Sequence, residues 1–380
     1  MKLLVFPKTT LLGVLGLILS VTTLFNCTSQ TDAVTPEEFS YSGAKIDLSH
    51  TFLKEATHFP IGAAVDPKLL SQDAAYRQLV SKEFSSLTTE NALKWSHVHP
   101  KPGVYDFAKA DTIVRLAQRN HMRIHGHTLI FFPAGPLPAW VTSFQGDSTA
   151  WEHLFKNHIQ TVVGHYKGQI TSWDVVNELF DDNGQIRKTD PTGTMENIWL
   201  KHLGKDYAAR AFQYAHDADP DALLFYNDNK YESSPNRLKA ILAMAQDFKK
   251  RNIPIHGLGL QTHLTINSSD TDFINSIKQV ASTGLLIHLS ELDIRMNPEQ
   301  KPSIDSTANL KRQTNKFYLV ANSYKKLVPA NQQYGITFWN VTDKDSWYRT
   351  YYKRQESPLL FNDQYQRKDA YTAFYMGLSK

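Results

Sequence analysis

Two glutamates stand at or near the ends of otherwise apolar segments, Glu178 in WDVVNE at 173–178 and Glu291 in LSELDI at 289–294. A buried carboxylate without a partner is costly, so each must be paired, neutralised or used in a reaction. Two carboxyl groups facing each other across a cleft can hydrolyse a glycoside, one donating a proton to the leaving oxygen and the other attacking the anomeric carbon. In the alternative interpretation, each glutamate forms a structural ion pair with a nearby Arg or Lys. The flanking amides, His263 and the tryptophans favour catalysis.

Eight short apolar segments are available to position these residues, and stretches with helical spacing of apolar residues, such as DTIVRLAQRN and YAARAFQYAHDA, separate them. The segments lie at 59–65, 85–91, 123–130, 170–178, 223–228, 256–264, 285–294 and 334–343. Eight alternations of strand and helix predict an α/β fold with a parallel sheet closed into a (β/α)8 TIM barrel. Because no Ser- or Gly-rich linker follows residue 50, residues 45–380 are predicted to form a single catalytic domain.

Polar side chains gather at the carboxyl ends of these predicted strands, which is where the active sites of such barrels lie. They are Glu90 and Asn91, His125 and His127, Asn177 and Glu178, Asn227 and Asp228, Gln261 and His263, Glu291 and Asp293, and Asp343 after Trp339. A barrel without a site needs far fewer polar ends for loop capping. The pattern therefore predicts a functional cleft at this end of the barrel.

Seven motifs give the chain a specific resemblance over roughly residues 50–375. They are TTENALKW at 88–95, GHTL at 126–129, WDVVNE at 173–178, NDN at 227–229, GLGLQTHL at 257–264, LSELDI at 289–294 and WNVTDKDSW at 339–347. In their order and spacing, the chain resembles glycoside hydrolases of family 10, the retaining endo-β-1,4-xylanases. The resemblance implies hydrolysis of internal β-1,4 bonds of xylan or xylo-oligosaccharides by double displacement with retention. Two carboxyl groups suffice for this reaction, so no metal or organic cofactor is expected.

The resemblance also implies a role for each matching residue. Glu178 would be the general acid/base and Glu291 the nucleophile, whose negative charge keeps a proton on the acid until the glycosyl ester forms. Asn177 would bind the 2-hydroxyl of the attacked sugar, and His263, tuned by Asp293, would hold Glu291. The other implied substrate contacts are His127, Lys94 and Gln261 at the attacked sugar, Glu90, Asn91 and Lys94 at the next sugar toward the non-reducing end, and Trp339 and Trp347 as aromatic walls.

The chain departs from the family pattern at several of these positions. Phe131 stands where tryptophan is usual, Phe132 where histidine is usual, and Ala134 where glutamine is usual. Asn229 replaces a frequent tyrosine, for which Tyr231 is a possible substitute, and Asn340 replaces the usual glycine. Each lost sugar hydrogen bond weakens binding by about 0.5–1.5 kcal/mol. These changes leave open a decorated xylan or another β-glycoside as the substrate.

The N-terminal segment has the composition of an export signal, since lysines flank the start of the apolar run TLLGVLGLILSVTTLF. Residues 1–26 are the predicted signal peptide, and Cys27 follows it directly. Leu24 fits a bacterial lipidation site, whereas Asn26 departs from one. We therefore expect an exported lipoprotein anchored to the membrane through Cys27 with a flexible tether at 27–44; secretion with an incidental cysteine is the alternative.

Composition narrows the remaining function classes. A formal net charge of +4 without a basic block argues against nucleic-acid binding. Separately, we expect the protein to be a monomer. His125 and His127 lie on the same face of a strand and leave a metal-dependent hydrolase as a weak alternative. A second alternative is a non-catalytic or weakly active glycan-binding surface lipoprotein, although the retained Glu178, Glu291, Asn177 and His263 argue against it.

Overall fold

The computed structural model of the protein describes residues 2, 41–43, 46–132, 137–190, 192–301 and 306–379. Of the predicted signal peptide only Lys2 is among the described residues, and of the predicted tether only 41–43. Cys27 and Ala134 lie outside the described residues. The account below concerns the unit Thr35–Lys380. No helix within the described ranges is long and apolar enough to span a bilayer.

A closed ring of parallel strands forms the centre of the fold. In the described part of the chain it comprises β1 (Ile61–Ala64), β2 (Ser86–Thr88), β3 (Arg123–Phe131), β4 (Ser172–Asn177), β5 (Leu223–Asp228), β6 (Gly257–Leu260), β7 (His263–Thr265), β8 (Leu286–Arg295) and β9 (Gln333–Trp339). Each strand pairs with the next along the chain, except that β6 pairs directly with β8, and β9 returns to β1. The predicted eight-stranded TIM barrel is confirmed.

Helices cover the outside of this ring. They are α1 (Pro67–Gln72), α2 (Ala74–Glu83), α3 (Trp95–Val98), α4 (Ala108–Arg119), α5 (Ala139–Thr142), α6 (Ser148–His165), α7 (Ile198–Leu203), α8 (Tyr207–Ala218), α9 (Pro235–Lys250), α10 (Asp270–Ala281), α11 (Thr307–Leu327), α12 (Trp347–Thr350) and α13 (Asp369–Ser379). Their buried residues recur at helical spacing, as in α10 with Phe273, Ile274, Ile277 and Val280. This stripe packs toward the barrel while the polar face meets solvent.

The sixth barrel position differs from the single strand predicted at 256–264. It is divided into β6 and β7, and Gln261 and Thr262 lie between them. Thr262 has a φ of 61°, in the left-handed region that interrupts a regular ladder. Gln261 therefore lies just beyond β6 at the level of the barrel mouth, where its side chain reaches across β5 to Asn177 and Glu178 at the end of β4.

Close packing fixes strand β4, which carries Glu178 beyond its end. A Cβ added at Gly126 on β3 would lie 2.3 Å from Cε3 of Trp173 on β4. Trp173 is completely buried, so glycine at 126 provides the space for its indole. In the WDVVNE segment, buried core residues therefore hold the strand in place up to Asn177 and Glu178 at its end.

The buried carboxylate of Glu83 connects the N-terminal and C-terminal parts of the barrel domain by hydrogen bonds. Glu83 on α2 accepts hydrogen bonds from Arg367 Nη2 at 2.6 Å, from Tyr371 Oη at 2.9 Å and from Leu53 N at 3.1 Å. Further toward the N-terminus, the Tyr41 ring packs on Tyr318 of α11, with ring centroids 5.6 Å apart. The segment that leads into the barrel therefore contacts its outer helices.

Candidate active site

Glu178 directly follows β4 and lies at the mouth of the barrel. Its φ is 55°, a conformation uncommon for a residue with a side chain, and its backbone is held on both sides. Its N–H donates to Asn227 O at 2.9 Å, and its carbonyl accepts from Arg187 Nε at 3.1 Å. The half-buried carboxyl group accepts from Gln261 Nε2 at 3.0 Å.

Glu291 lies within β8 and is only 5% exposed. Its Oε1 accepts from Asn227 Nδ2 at 2.7 Å, and its Oε2 is 3.1 Å from His263 Nε2. Burial by itself disfavours ionisation, but the His263 hydrogen bond and the charges of His127 and His263 lower the pKa of Glu291 below its ordinary value. The side chain is therefore held as a carboxylate, the form required of a nucleophile.

His263 is clamped between two carboxylates. Its Nδ1 lies 2.8 Å from Asp293 Oδ2, and the same oxygen accepts from Trp347 Nε1 at 2.9 Å. Burial opposes a charge on the imidazole, yet Asp293 and Glu291 raise the pKa of His263 to about 10. A protonated His263 donates through both nitrogens, so Asp293 fixes the ring that holds Glu291, and also the indole of Trp347.

A chain of amides joins the two catalytic candidates. Gln261 Nε2 donates to Glu178 Oε1 and also lies 3.2 Å from Asn177 Oδ1. Asn227 Nδ2 donates to Glu291 Oε1 and lies 3.0 Å from the same Asn177 oxygen. Each carboxylate is thus one amide nitrogen away from Asn177 Oδ1. Because that oxygen is occupied, the Nδ2 of Asn177 is the group available to a sugar hydroxyl.

Asn227 was placed at the predicted barrel mouth by the sequence analysis, but no role in the site was assigned to it. It lies at the mouth of β5, fully buried, with its Oδ1 accepting from Ser290 Oγ at 2.6 Å. A Cβ at Gly259 would lie 2.4 Å from that Oδ1, so the glycine makes room for the amide. The polar end of the apolar LLFYND segment was the available signal, but nothing local indicated that Asn227 would contact Glu291.

His125 and His127, on either side of Gly126 in β3, both lie against one carboxylate. His127 Nδ1 lies 2.8 Å from Asp174 Oδ2, and His125 Nε2 lies 3.0 Å from Asp174 Oδ1. Burial opposes ionisation of Asp174, but His125 and His127 hold its pKa well below its ordinary range. In the described residues no group of three or more His, Cys, Asp or Glu side chains is arranged to hold a metal ion. His127 faces the site, whereas His125 lies deeper in the barrel interior.

Glu90, Asn91 and Lys94 form a second polar group beside the carboxylates. Asn91 bridges the other two, donating to Glu90 Oε1 at 3.0 Å and accepting from Lys94 Nζ at 2.7 Å. Burial raises the pKa of Glu90 to about 7 against the opposing charge of Lys94. Lys94 Nζ lies 5.7 Å from the ring centroids of both Phe131 and Trp339. Trp339, which was predicted to form an aromatic wall, and Phe131, which stands where tryptophan is usual, therefore lie beside the same lysine.

The structure explains one departure from the family pattern at the β5 end. The Asn229 side chain hydrogen-bonds Arg237, a buried residue of α9, whose Nη2 also reaches Asp182 Oδ1 at 2.6 Å. Tyr231 is 3% exposed, and its hydroxyl has no hydrogen-bond partner among the described residues. Asn229 therefore belongs to a structural network, and Tyr231 is buried rather than presented to solvent.

Two of the polar strand ends serve structure rather than the cleft. Asp343 pairs with Lys368 Nζ at 3.0 Å and accepts from Leu359 N at 2.8 Å. Asp228 is buried beside Arg237 and accepts from the Tyr226 hydroxyl, and burial raises its pKa to about 7. Asp343 thus forms a structural ion pair, the role that the sequence analysis considered only for the two glutamates.

Chemically, the assembled group combines a held carboxylate, a second carboxyl group on the facing side, and hydrogen-bond donors between them. Glu291 has the environment of an ionised nucleophile. Glu178 uses its Oε1 in the Gln261 hydrogen bond, and its Oε2 has no hydrogen bond within the described part of the chain. Aromatic rings of Trp339 and Trp347 flank His263, with centroids 6.4 and 5.0 Å from it. This arrangement suits acid-assisted displacement at the anomeric carbon of a sugar.

Comparison with known proteins agrees with this geometry. Beta-1,4-xylanase of Dictyoglomus thermophilum is 36% identical over 325 residues, covering 83% of this chain and 87% of the relative. Exoglucanase XynX of Acetivibrio thermocellus is 36% identical over 344 residues, but the match covers 86% of this chain and only 29% of that longer protein. The solved structure of a mutant of xylanase10C from Cellvibrio japonicus in complex with xylopentaose has a TM-score of 0.80 at 32% identity, covering 90% of this chain and 70% of that one. Residues 50–376 match Glycosyl hydrolase family 10, and the chain belongs to that family.

Proposed function

We propose that the protein is an endo-β-1,4-xylanase that hydrolyses internal bonds of xylan or xylo-oligosaccharides with retention of configuration. The observation that carries the proposal is the arrangement of Glu178 and Glu291 on either side of Asn177, each one amide nitrogen from its Oδ1. The similar proteins named as xylanases support the choice of xylan as the substrate.

In the first step, Glu291 attacks the anomeric carbon while Glu178 gives its proton to the departing glycosidic oxygen. The carbon–oxygen bond to the leaving chain breaks, and an ester to Glu291 forms. Asn177 Nδ2 stabilises the 2-hydroxyl as positive charge develops on the sugar ring. His263 and Asn227 orient the two oxygens of Glu291 and so fix which lone pair reaches the carbon.

In the second step, Glu178 acts as the base. Glu178 gave up its proton in the first step and is therefore a carboxylate when the ester to Glu291 has formed. Glu178 takes a proton from water, the resulting hydroxide attacks the anomeric carbon, and Glu291 leaves as a carboxylate. Two inversions give net retention, and both carboxyl groups return to their starting states.

The test is the E291A variant with azide as an external nucleophile. The wild-type protein should release reducing sugar from xylo-oligosaccharides, E291A should not, and azide should restore turnover of an activated aryl xylobioside as the α-glycosyl azide. The variant E196A, which removes an exposed carboxylate paired with Lys201, serves as the matched control and should retain full activity. A wild-type protein that binds xylo-oligosaccharides without cleaving them would instead establish the glycan-binding alternative.

A decorated xylan is a second candidate substrate, favoured by the apolar wall at Phe131 and Phe132. Phe131 is half-buried beside Lys94, and Phe132 is 6% exposed, so neither supplies a hydrogen bond to a sugar at this wall. Turnover should be compared on unbranched, arabinosylated and glucuronylated xylo-oligosaccharides for the wild type and F131W. Equal or better turnover of the unbranched substrate by the wild type would remove this candidate.

We also propose that the protein is exported and carries a lipid on Cys27. The support is the sequence alone: the charged start, the apolar run and the cysteine directly after it. Mass spectrometry of the mature N-terminus from membrane fractions should show a diacylated Cys27, and the C27S variant should appear in the soluble fraction. An unmodified chain that begins beyond Cys27 would refute lipidation while leaving export intact.

A further inference from the structure

The chain that follows Glu178 forms a short hairpin, and Arg187 lies at its returning end. Phe180 and Ile186 pair in an antiparallel bridge. Beyond that bridge, the backbone N–H of Arg187 donates to Leu179 O at 2.9 Å. The hairpin therefore brings Arg187 back beside Glu178, although the two residues are nine positions apart in the sequence.

Two side chains fix the shape of this hairpin. At its turn, Asp181 Oδ1 accepts from the backbone N–H groups of Asn183 and Gln185, both at 2.9 Å. At its returning end, Asn197 Nδ2 donates to Arg187 O at 2.9 Å. Asn197 is 2% exposed and also caps the start of α7. The backbone of Arg187 is thus tied to a helix of the barrel.

The side chain of Arg187 reaches the peptide group that follows Glu178. Its Nε donates to Glu178 O at 3.1 Å, and the residue is half-buried. Within the described part of the chain, the guanidinium makes no other hydrogen bond and no ion pair. The side chain therefore serves this one carbonyl and does not belong to a wider structural network.

Glu178 needs such contacts because of its backbone conformation. Its φ of 55° lies in the left-handed region, which a residue with a Cβ adopts only where its surroundings hold it there. On one side its N–H donates to Asn227 O, and on the other the N–H of Leu179 donates to Tyr226 Oη at 3.0 Å. The Arg187 bond completes the hold on the second peptide group. Together the two peptide groups fix the direction of the Cα–Cβ bond, and so the place of the carboxyl group.

We propose that Arg187 is a positioning residue for the general acid, which keeps the Glu178 carboxyl group aimed at the departing glycosidic oxygen. This inference rests on the proposed function, because it assumes that Glu178 donates the proton. The carboxyl group itself accepts one hydrogen bond among the described residues, from Gln261 Nε2, so its position depends strongly on its backbone. The Arg187 bond should therefore matter most where a proton must be delivered.

Two substitutions of similar length separate the hydrogen bond from the rest of the side chain. In R187Q the amide nitrogen comes to the position of Nε and can still donate to Glu178 O. In R187M a methyl group stands there, so the donor is lost while the apolar stem is kept. The matched control is R210M, because Arg210 is also half-buried and donates to a backbone carbonyl, that of Leu203, at 2.9 Å, as well as to Glu152.

Aryl xylobiosides with different leaving groups report how well the acid is placed. Departure of phenol needs a proton, whereas 2,4-dinitrophenol leaves as a stable anion without one. General acid catalysis contributes about 10²–10⁴-fold, and E178A, which removes it, sets the full scale on the phenyl substrate. We expect R187M to lose about 10- to 100-fold in kcat/KM on phenyl β-xylobioside, as for a misplaced catalytic group. On the dinitrophenyl substrate the loss should stay below about threefold.

The other variants test whether this loss belongs to the hydrogen bond. R187Q should stay within about threefold of the wild type on both substrates, and R210M should keep the wild-type ratio between them. Partial unfolding lowers both rates equally, so the ratio reports on the folded protein alone. R187K, whose ammonium lies one atom beyond the Nε position, should show the same selective loss to a smaller extent, and it supplies the measurement if R187M does not fold.

The outcomes distinguish the role of Arg187 from the proposed function. Equal losses of R187M on the two substrates, or an R187Q protein as impaired as R187M, would overturn the role of Arg187 alone. A wild type that cleaves neither substrate would refute the proposed function, and an E178A protein with equal losses on both would refute Glu178 as the acid. Either of these last two results also removes the role of Arg187, since no proton would then need to be placed.

Discussion

Replacement of Asn227 by aspartate changes one atom of a buried amide and reverses what that atom does. In the wild type, Asn227 Nδ2 donates to Glu291 Oε1 at 2.7 Å and lies 3.0 Å from Asn177 Oδ1. The N227D variant presents an oxygen there, so the donor is lost and a second carboxylate faces the nucleophile. Two carboxylates that share a buried site cannot both ionise easily, and the pKa of Glu291 should rise.

The magnitude follows from the single bond removed. A hydrogen bond to a charged group contributes about 1.5–3 kcal/mol, which corresponds to a loss of about 10- to 150-fold in kcat/KM if the contact acts in the transition state. The upper part of that range is expected because the site is fully buried. The loss should be greatest at low pH and smaller at high pH, because deprotonation of Glu291 restores the nucleophile.

The assay is the pH profile of kcat/KM on an aryl xylobioside for the wild type, N227D and S290A. Ser290 Oγ donates to Asn227 Oδ1 at 2.6 Å, so S290A removes a neutral hydrogen bond of the same amide and leaves the bond from Asn227 Nδ2 to Glu291 in place. S290A should lose about 2- to 12-fold and keep the wild-type acid limb, whereas the acid limb of N227D should move to higher pH. An N227D protein with a rate within twofold of the wild type, or with an unshifted acid limb, would refute the reasoning.

Three further predictions concern stability. In the folded protein the pKa of His263 is raised from its ordinary value near 6.5 to about 10, so its protonation stabilises the fold fully below about pH 6.5, and this stabilisation is lost as the pH rises through about 10. The thermal unfolding temperatures of the wild type and H263Q should therefore differ most near pH 6 and least at pH 10. A difference that stays constant with pH would contradict the charge assigned to His263. E83A removes the carboxylate that accepts from Arg367 and from Leu53 N. The free energy of unfolding measured in urea should fall by about 3 kcal/mol, the low end for a broken buried ion pair, while kcat stays unchanged. G126A forces a methyl group against Trp173 and should cost about 1–3 kcal/mol in the same experiment; stability equal to that of the wild type would mean that the strands separate without cost.

Local pattern was sufficient to predict the fold class and the place of the site. Apolar segments of strand length alternate with helical periodicity, and parallel strands separated by helices have few closed arrangements. In a barrel of parallel strands, the carboxyl ends of all strands lie at the same opening. The sequence therefore predicted that Glu178, Glu291, His263 and Gln261 lie close together. The stretch YAARAFQYAHDA, cited for its helical spacing, forms the helix Tyr207–Ala218, because it is amphipathic along its whole length.

The partners within the mouth were not predictable from the local pattern. Asn227 contacts Glu291 across 64 positions of sequence, and Gln261 contacts Glu178 across 83. Such pairs depend on strand register and on the break at Gln261 and Thr262, and no short segment encodes either. For the same reason the sequence did not identify Asp174 as the common partner of His125 and His127, or Asp343 as the partner of Lys368.

The residue types that carry the chemistry, their order along the chain and the barrel that gathers them could be predicted from the sequence, because each depends on periodicity or on a contiguous motif. How those groups are held became visible only in the folded chain: Asn177 is the common neighbour of both carboxylates, and Asp293 orients both His263 and Trp347. The physical reason is that hydrogen bonds are directional over about 3 Å, so their partners are fixed only when the ring of strands closes.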